Sequence, residues 1–192
     1  IEFGSGLLLG IHWLRYFPAE KSFAYGIFHA ISAFCNAGFD LFNGALDKNG
    51  DPFNGIPPDG MSLAVLGGLI LVGGLGIPVL GEIFSRRRPH HYSLNTRVTL
   101  WIVLGLTLFG WFGLFVAENV GVLVDAPLDE RLIRTLFQSI SNRTAGFAGL
   151  PQFDALSPAS ILLIMAMMFV GCAPASMGGG ITTGTCSVLL IT

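Results

Sequence analysis

Long stretches without charge constrain this chain more than any other feature. Asp, Glu, Lys and Arg are absent from residues 61–81, from residues 98–117 and from every position after Asp154. A helix of about 20 such residues spans the roughly 30 Å hydrocarbon core of a bilayer. Only 11% of the chain is charged, whereas soluble domains average about 25%. The sequence therefore predicts an all-α membrane protein, surrounded by the lipid bilayer, that crosses the bilayer several times.

The charges that remain indicate the orientation of the chain. Arg86, Arg87, Arg88 and Arg97 lie within residues 85–97, which contain no acid. By the positive-inside rule, a basic connection of this kind faces the cytoplasm. Such a cluster could also contact lipid head groups or a nucleic acid. Topology alone explains it, however, so we expect no nucleic-acid partner.

Two segments of the chain resemble each other. They read AISAFCNAGFDLF over residues 30–42 and SISNRTAGFAGL over residues 139–150. Both carry Ala-Gly-Phe shortly after Phe-x-x-Ile-Ser, about 108 positions apart. Each lies between a short helical stretch and a long apolar one. Since internal repeats reflect repeated structural units, we predict one unit, made of a long helix, a short helix, a Gly-containing turn and a long helix, that occurs twice.

The short helix of each unit is predicted to enter the membrane and return. In the second unit Arg131, Arg134 and Arg143 lie in or beside this helix, and an arginine at the bilayer centre costs about 2.5–3.5 kcal/mol. Re-entry into a protein-lined funnel avoids that cost. The predicted first unit covers residues 1–84, with an outer helix, a pore helix over 22–35, a filter over 36–40 and an inner helix over 61–84. A cytoplasmic loop over 85–97 leads to the second unit over 98–192, with an outer helix over 98–117, a pore helix over 130–142, a filter over 143–147 and a broken inner helix over 158–192.

The Gly-containing turns are predicted to bind a cation. A re-entrant helix would point its C-terminus, with about half a negative charge, towards the pore axis. Backbone carbonyls beyond the helix can replace the water shell of an ion. Neighbouring carbonyls face the same way only if one residue has positive φ, which Gly adopts without steric cost. Alternatively, each Gly simply ends its helix as a C-cap. The predicted filter residues are Asn36, Ala37, Gly38 and Phe39 in the first unit, and Thr144, Ala145, Gly146 and Phe147 in the second.

The last uncharged run predicts a broken helix. Residues 155–192 would extend about 57 Å as a straight helix at 1.5 Å per residue, nearly twice the bilayer core. Unwound backbone at mid-membrane must line protein or water, and below a filter it would obstruct the ion pathway. We therefore expect a gate there, with a plain packing kink as the alternative. The predicted gate residues are Cys172, Pro174, Ser176, Gly178, Gly179 and Gly180.

Other polar and small residues receive simpler interpretations. Residues 67–76, GGLILVGGLG, predict close helix packing rather than a gate. Arg143 would repel a cation at the axis, so we expect it to support the filter from behind, paired with a carboxylate. An exposed interfacial arginine is the alternative. The sequence contains no nucleophile–base pair, phosphate loop or metal-ligand cluster, so we expect neither an enzyme nor an organic cofactor.

These segments resemble the Trk/Ktr/HKT superfamily of potassium transporters. The motifs AFCNAGFDLF and SNRTAGF are similar to its selectivity filters. FVGCAPASMGGGITTGT, over residues 169–185, is similar to the broken inner helix of its third unit, most of all in the Ktr branch. Many relatives have Lys where this chain has Thr182. The resemblance covers essentially the whole chain, which would be the second and third of four units in a longer polypeptide.

The resemblance implies a Ktr-type membrane subunit for potassium uptake. K+ would be held by the filter carbonyls, with Na+ as a candidate coupling ion, and one Gly per filter predicts modest selectivity over Na+. The expected partners are a second copy of the protein, forming a homodimer, and a cytoplasmic nucleotide-binding ring that regulates it. Two other classes remain open: a secondary transporter with discontinuous helices that binds a small solute, and a non-transporting membrane scaffold.

Overall fold

The computed structural model describes residues 1–53, 55–85, 92–150 and 155–185. Within these ranges the chain is mostly helical, with a short antiparallel pair of strands. The helices are α1 (Glu2–Trp13), α2 (Ala19–Phe34), α3 (Gly60–Gly74), α4 (Ile77–Phe84), α5 (Leu94–Glu118), α6 (Leu128–Ser141) and α7 (Pro158–Phe169), and the strands are β1 (Ala45–Leu46) and β2 (Pro52–Phe53).

The predicted pore helices over 22–35 and 130–142 correspond to α2 and α6, which begin two or three residues earlier. The predicted outer helix over 98–117 corresponds to α5. This helix already begins at Leu94, because the Ser93 hydroxyl accepts a hydrogen bond from the Thr96 N–H (3.3 Å) and caps it. The connection before α5 is therefore shorter than the predicted loop over 85–97. Its three consecutive arginines lie outside the described residues.

The predicted inner helix over 61–84 differs from the observed structure. Two helices, α3 and α4, occupy this range, and they are bent by 105°. Gly76 has a φ of +80° at the N-cap of α4, and Pro78 follows in the first turn. Positive φ suits Gly, and Pro has no N–H with which to continue α3. The apolar run therefore turns at Gly76.

Small residues let helix backbones touch. On α3, a Cβ added to Gly73 would lie 1.8 Å from the carbonyl oxygen of Phe34 in α2. Between α1 and α2, a Cβ added to Gly26 would lie 2.4 Å from the carbonyl oxygen of Gly6. Both contacts exclude any larger side chain. The close packing predicted for residues 67–76 is thus present at Gly73.

One buried cluster joins the two predicted units. Trp13 and Phe17 pack against Phe42, with ring centroids 4.9 Å and 5.4 Å apart. Phe137 of α6 and Phe147 of the second predicted filter belong to the same cluster. Burial of an aromatic side chain of this size contributes about 1.5–3 kcal/mol. A shared core therefore fixes the two predicted filters relative to each other.

Apolar side chains also cover the outside of the helices. Trp101, Phe109 and Phe112 of α5 are largely exposed, and this helix is long and apolar enough to span a bilayer by itself. Among the described residues, α3 and α4 reach that length only as a bent pair, and α7 is apolar but has 12 residues. An outer surface of this kind suits lipid or further protein around it.

Asp59 ties the beginning of α3 to α1. Its carboxylate accepts hydrogen bonds from the Ser62 N–H (3.0 Å) and the Ser62 hydroxyl (2.9 Å), and His12 Nε2 lies 2.5 Å away. Burial raises the pKa of Asp59, but the hydrogen bonds from Ser62 and His12 outweigh it. The pKa therefore lies below its ordinary value. The ionised carboxylate is the form that stabilises the fold.

We expect Asp59→Ala to lower the melting temperature near neutral pH, because loss of an N-cap costs about 0.5–2 kcal/mol. A depressed pKa contributes stability above the unfolded value of about 3.9, and this stability is lost as the pH falls through the folded value. The difference from wild type should therefore shrink below about pH 4. Thermal unfolding in detergent, near neutral pH and below about pH 4, measures this difference in melting temperature. Asp51→Ala, in an exposed loop, is the control. Equal melting temperatures near neutral pH would contradict this role.

Candidate functional site

The two predicted filters follow α2 and α6 and have the same local bonding. In the first, the Ser32 hydroxyl donates to the carbonyl oxygen of Phe39 (3.1 Å). In the second, the Ser141 hydroxyl donates to the carbonyl oxygen of Phe147 (2.7 Å). Both serines lie in the last turn of their helix. Each helix end thus holds the far end of the segment that follows it.

The glycines of both segments have the predicted backbone conformation. The φ angle is +70° at Gly38 and +83° at Gly146, a region that Gly adopts without steric cost. The two segments also touch, since a Cβ added to Gly38 would lie 1.8 Å from the carbonyl oxygen of Ala145. At Gly146 an added Cβ would meet no described atom within 4 Å. The same position is thus closed in one segment and open in the other.

The phenylalanines of the two segments differ in a related way. Phe147 is 1% exposed, and its ring lies 6.4 Å from the ring of His29 in α2. Phe39 is 68% exposed. The second segment therefore packs against the first unit, whereas the equivalent side chain of the first segment has no such neighbour within the described residues.

The first residues of the two segments are hydrogen-bonded to each other. The Asn36 amide lies 3.2 Å from the Thr144 hydroxyl. With the amide turned over, its nitrogen donates to the carbonyl oxygens of Ala33 (3.1 Å) and Ile70 (3.2 Å), and its oxygen accepts from Thr144. We adopt this orientation because it satisfies both ends of the amide. Asn36 thus links α2, α3 and both predicted filters.

α7 ends at the predicted break and is followed by an irregular loop over residues 170–182. The two ends of this loop lie side by side, because Val170 pairs with Ile181 and the Gly171 N–H donates to the Ile181 carbonyl oxygen (2.9 Å). Helical backbone resumes at residues 183–185. The rest of the predicted broken helix, residues 186–192, lies outside the described residues.

The loop over residues 170–182 docks on the bend between α3 and α4. The carbonyls of Gly73 and Gly74, which lack helical partners at the end of α3, accept hydrogen bonds from Met177 N–H (3.3 Å) and Ala173 N–H (3.1 Å). The first N–H of α4 donates to the carbonyl oxygen of Ala175 (3.1 Å). The two interrupted helices therefore satisfy each other's free backbone groups.

The same loop reaches the base of the second predicted filter. Cys172 Sγ lies 3.0 Å from Thr144 Oγ1. A Cβ added to Gly178 would lie 2.5 Å from Cys172 Sγ and 2.7 Å from Thr144 Oγ1. At Gly179 an added Cβ would meet nothing within 4 Å among the described atoms. Of the predicted gate residues, Cys172 and Gly178 are thus close to Thr144 of the second predicted filter.

The other predicted gate residues shape the loop. The carbonyl oxygen of Pro174 would lie 2.6 Å from a Cβ added to Gly76, so Pro174 packs on the bend. The Ser176 hydroxyl is buried and finds no hydrogen-bond partner among the described residues. Gly180 has a φ of +82° and lies beside Gly171. These residues help to bring the loop back on itself.

Arg143 is 5% exposed, so it is not the exposed interfacial arginine given as the alternative. Its support of the filter stays a prediction. Its Nε and Nη1 have no hydrogen-bond partner among the described residues. Among the described residues, no acidic side chain lies within ion-pair distance of the Arg143 guanidinium. A buried charge without a partner costs several kcal/mol. The predicted carboxylate partner therefore does not come from the described residues.

Within residues 1–53, 55–85, 92–150 and 155–185, no group of three His, Cys, Asp or Glu side chains could hold a metal ion. Candidate cation ligands are therefore backbone carbonyls. Gly73 and Gly74 were not among the predicted functional residues, although free carbonyls at a helix end are a general signal. Gln138, which the repeat places 109 positions after His29, was not among them either.

A protein-family model for TrkH, described as a cation transport protein, matches residues 12–190. The chain is 34% identical over its full length to Ktr system potassium uptake protein D of Bacillus subtilis and covers 42% of that protein. It is 35% identical, again over its full length, to potassium/sodium uptake protein NtpJ of Enterococcus hirae and covers 41% of it. The chain thus spans about two fifths of the length of the curated relatives that it matches.

A solved structure, the potassium transporter TrkH from Vibrio parahaemolyticus, has a similar fold. The TM-score is 0.67 at 18% sequence identity, and the match covers 97% of this chain and 37% of that one. At this identity the likeness shows the fold alone. The arrangement of helices described above is therefore also found in this transporter.

Proposed function

Because this chain belongs to the TrkH family of cation transport proteins, we propose that it forms two neighbouring pore units of a protein that takes up K+. Members of this family are transporters and not enzymes, and the chain is a multi-pass protein of the plasma membrane. Uptake of K+, the filters and the gate are our proposal for the longer protein.

The contact between two matching filter segments carries this proposal. Gly38 and Gly146 both have positive φ, and Gly38 lies directly against the carbonyl of Ala145. Two such segments in contact bring backbone carbonyls of both units close together, and carbonyls that line a pore would replace the water around a dehydrated K+ ion. α2 and α6 would add the negative ends of their dipoles. A secondary transporter that binds an anionic solute would instead use helix N-termini.

The differences between the segments support a ring of units around one pore. The second segment contacts the first unit through Phe147 and His29, and Gly38 of the first segment contacts the carbonyl of Ala145. Because the two units use different residues in this interface, it is heterologous, and a closed set of such interfaces forms a ring. Further units against exposed Phe39 and against open Gly146 would repeat the same contacts. Four units in total agree with the resemblance described above.

The loop over residues 170–182 is proposed as the gate. Cys172 contacts Thr144, and Gly178 lies close to both. If Thr144 belongs to a filter, an ion leaving that filter would meet this part of the loop. The loop is held by backbone hydrogen bonds to Gly73 and Gly74. In a water-filled pathway, water can replace these bonds when the loop moves, and each then costs only about 0.5–1.5 kcal/mol to break. The loop could therefore be released without unfolding the helices.

We propose K+ as the principal transported ion and Na+ as a second one. One relative is named a potassium uptake protein and another a potassium/sodium uptake protein. One Gly per filter favours modest discrimination between the two ions. A homodimer and a cytoplasmic nucleotide-binding ring as regulatory partner complete the proposal, on the resemblance to Ktr systems. We propose no organic cofactor.

Ion uptake by the full-length protein in liposomes tests this function. We expect K+ or Rb+ to accumulate, Na+ to enter less readily and choline to be excluded, because a carbonyl-lined filter has no room for a large cation. Empty liposomes are the control. Uptake of a small organic solute without K+ would favour a secondary transporter, and no uptake of any ion would favour a scaffold.

A further inference from the structure

An open groove of about 290 Å³ lies between α3 and α6. On α3 it is lined by Gly67 and Gly68, and a Cβ added to Gly68 would meet no described atom within 4 Å. On α6 it is lined by Phe137 and Ile140. Every residue that lines it is Gly, Ala, Leu, Ile or Phe. The groove therefore offers only apolar surface, along the helix that leads to the second proposed filter.

A polar cavity of about 280 Å³ opens at the beginning of both helices. Gly60 and Ile133 line this cavity and also the groove, so the two are continuous. We call this cavity the mouth of the groove. Its polar lining residues are Tyr16, Asp59, Asp129 and Glu130. The groove thus leads inward from an acidic mouth.

The mouth lies on the outer side of the membrane. The basic connection before α5 is predicted to be cytoplasmic, and α5 is long enough to cross the bilayer. Residues 119–130, which follow α5, are then outside, and α6 runs inward from Leu128. Tyr16 in the mouth suits the level of the lipid head groups, where tyrosine is enriched. The groove therefore extends from the head groups into the apolar part of the outer leaflet.

The charge of the mouth is negative. Asp59 and Glu130 each lie near an arginine, at 3.7 Å and 2.6 Å, and Asp59 also lies beside His12. Asp129 is exposed, and its carboxylate forms no ion pair within the described residues. Three carboxylates thus face two arginines. A cationic group is therefore attracted to the mouth and an anionic group is repelled.

We propose that the groove binds a phospholipid of the outer leaflet whose head group carries a primary ammonium, such as phosphatidylethanolamine. The ammonium lies against Asp129, and one acyl chain lies along Gly67 and Gly68. An apolar cavity with a few polar groups at one end is the usual form of a site for a small amphipathic molecule. Phosphatidylglycerol, which lacks the ammonium and is anionic, binds less well. This inference does not depend on which ion the protein transports.

Native mass spectrometry tests the groove on the full-length protein, released from bilayers with equal amounts of phosphatidylethanolamine and phosphatidylglycerol. The wild type retains phosphatidylethanolamine in preference. Gly68→Leu fills the groove and lowers the retained amount severalfold. Gly105→Leu is the matched control, because Gly105 of α5 is also exposed and open but does not line the groove. This control retains the wild-type amount.

Two charge variants test the head group separately. Asp129→Asn lowers the preference for phosphatidylethanolamine over phosphatidylglycerol by up to about fivefold, the factor that corresponds to one exposed ion pair. Asp125 is exposed on the same connection but does not line the mouth. Asp125→Asn therefore keeps the wild-type preference.

Three outcomes overturn the inference. The first is a Gly68→Leu protein that retains as much phosphatidylethanolamine as the wild type, and the second is a lipid preference that Asp129→Asn does not change. The third is a wild-type protein that retains no phospholipid, which would show that another part of the longer protein or a second copy covers the groove. Melting temperature and gel filtration report folding, and Asp129→Asn decides alone if the Gly68 variant does not fold.

Discussion

Gly38→Ala is expected to remove most of the preference for K+ over Na+ in the full-length protein. The added Cβ would lie 1.8 Å from the carbonyl oxygen of Ala145, whereas real Cβ contacts essentially never fall below 3.0 Å. One filter segment must therefore retreat by about 1 Å or more. The φ of +70° adds a strain of about 1–2 kcal/mol for a residue with a side chain. The ratio of K+ to Na+ uptake in liposomes measures the effect.

Gly50→Ala is the matched control for this variant. Gly50 also has a positive φ, +88°, but a Cβ there would meet no described atom within 4 Å. It therefore carries the strain without the collision, and we expect a wild-type ion ratio. Gly146→Ala distinguishes further, because in a closed ring it should be as damaging as Gly38→Ala. A Gly38→Ala protein with the wild-type ratio would show that this segment is not a filter.

Deletion of residues 176–180 is expected to raise K+ uptake severalfold and to leave the K+/Na+ ratio nearly unchanged. The deletion removes Gly178, which lies close to Thr144 of the second proposed filter, and the hydrogen bond of the Met177 N–H to Gly73. A plug below the filter adds a barrier to permeation that ion selection does not need. Initial rates of Rb+ uptake, measured together with the melting temperature, report both effects.

A pair of single substitutions provides the control for the deletion. A methyl group at Gly178 would collide with Cys172 and Thr144, whereas one at Gly179 would meet no described atom. Gly178→Ala should therefore displace the loop and raise uptake, and Gly179→Ala should resemble the wild type. If the deletion instead lowers both uptake and melting temperature, the loop is a packing kink and not a gate.

Local signals in the sequence account for the helices and for the predicted filter glycines. The predicted outer helix over 98–117 corresponds to α5, Leu94–Glu118, because an uncharged run between charged residues leaves few places for a helix to end. Positive φ at Gly38 and Gly146 was predictable for a similar reason. Both follow a helix end, and carbonyl direction at such a turn depends on one residue.

Features that depend on distant parts of the chain were not predictable in this way. Residues 61–84 have the composition of one straight helix, and the bend at Gly76 becomes favourable only when the loop over residues 170–182 binds the freed carbonyls. Gly38 and Gly146 lie in identical Ala-Gly-Phe triplets. Within the described residues only Gly38 meets another backbone, that of Ala145 in the second unit. The local sequence around the two glycines is the same, so their different contacts come from distant parts of the chain.

The docking of residues 170–182 on the end of α3 also sets an order of events during synthesis. A chain enters the membrane from its N-terminus, so Gly73 and Gly74 arrive about a hundred residues before the N–H groups that bind them. Until then a bend would leave their carbonyls without partners in apolar surroundings, which costs several kcal/mol each. A straight helix avoids that cost in the meantime. The first unit therefore acquires its final shape from the second, after its own synthesis has ended.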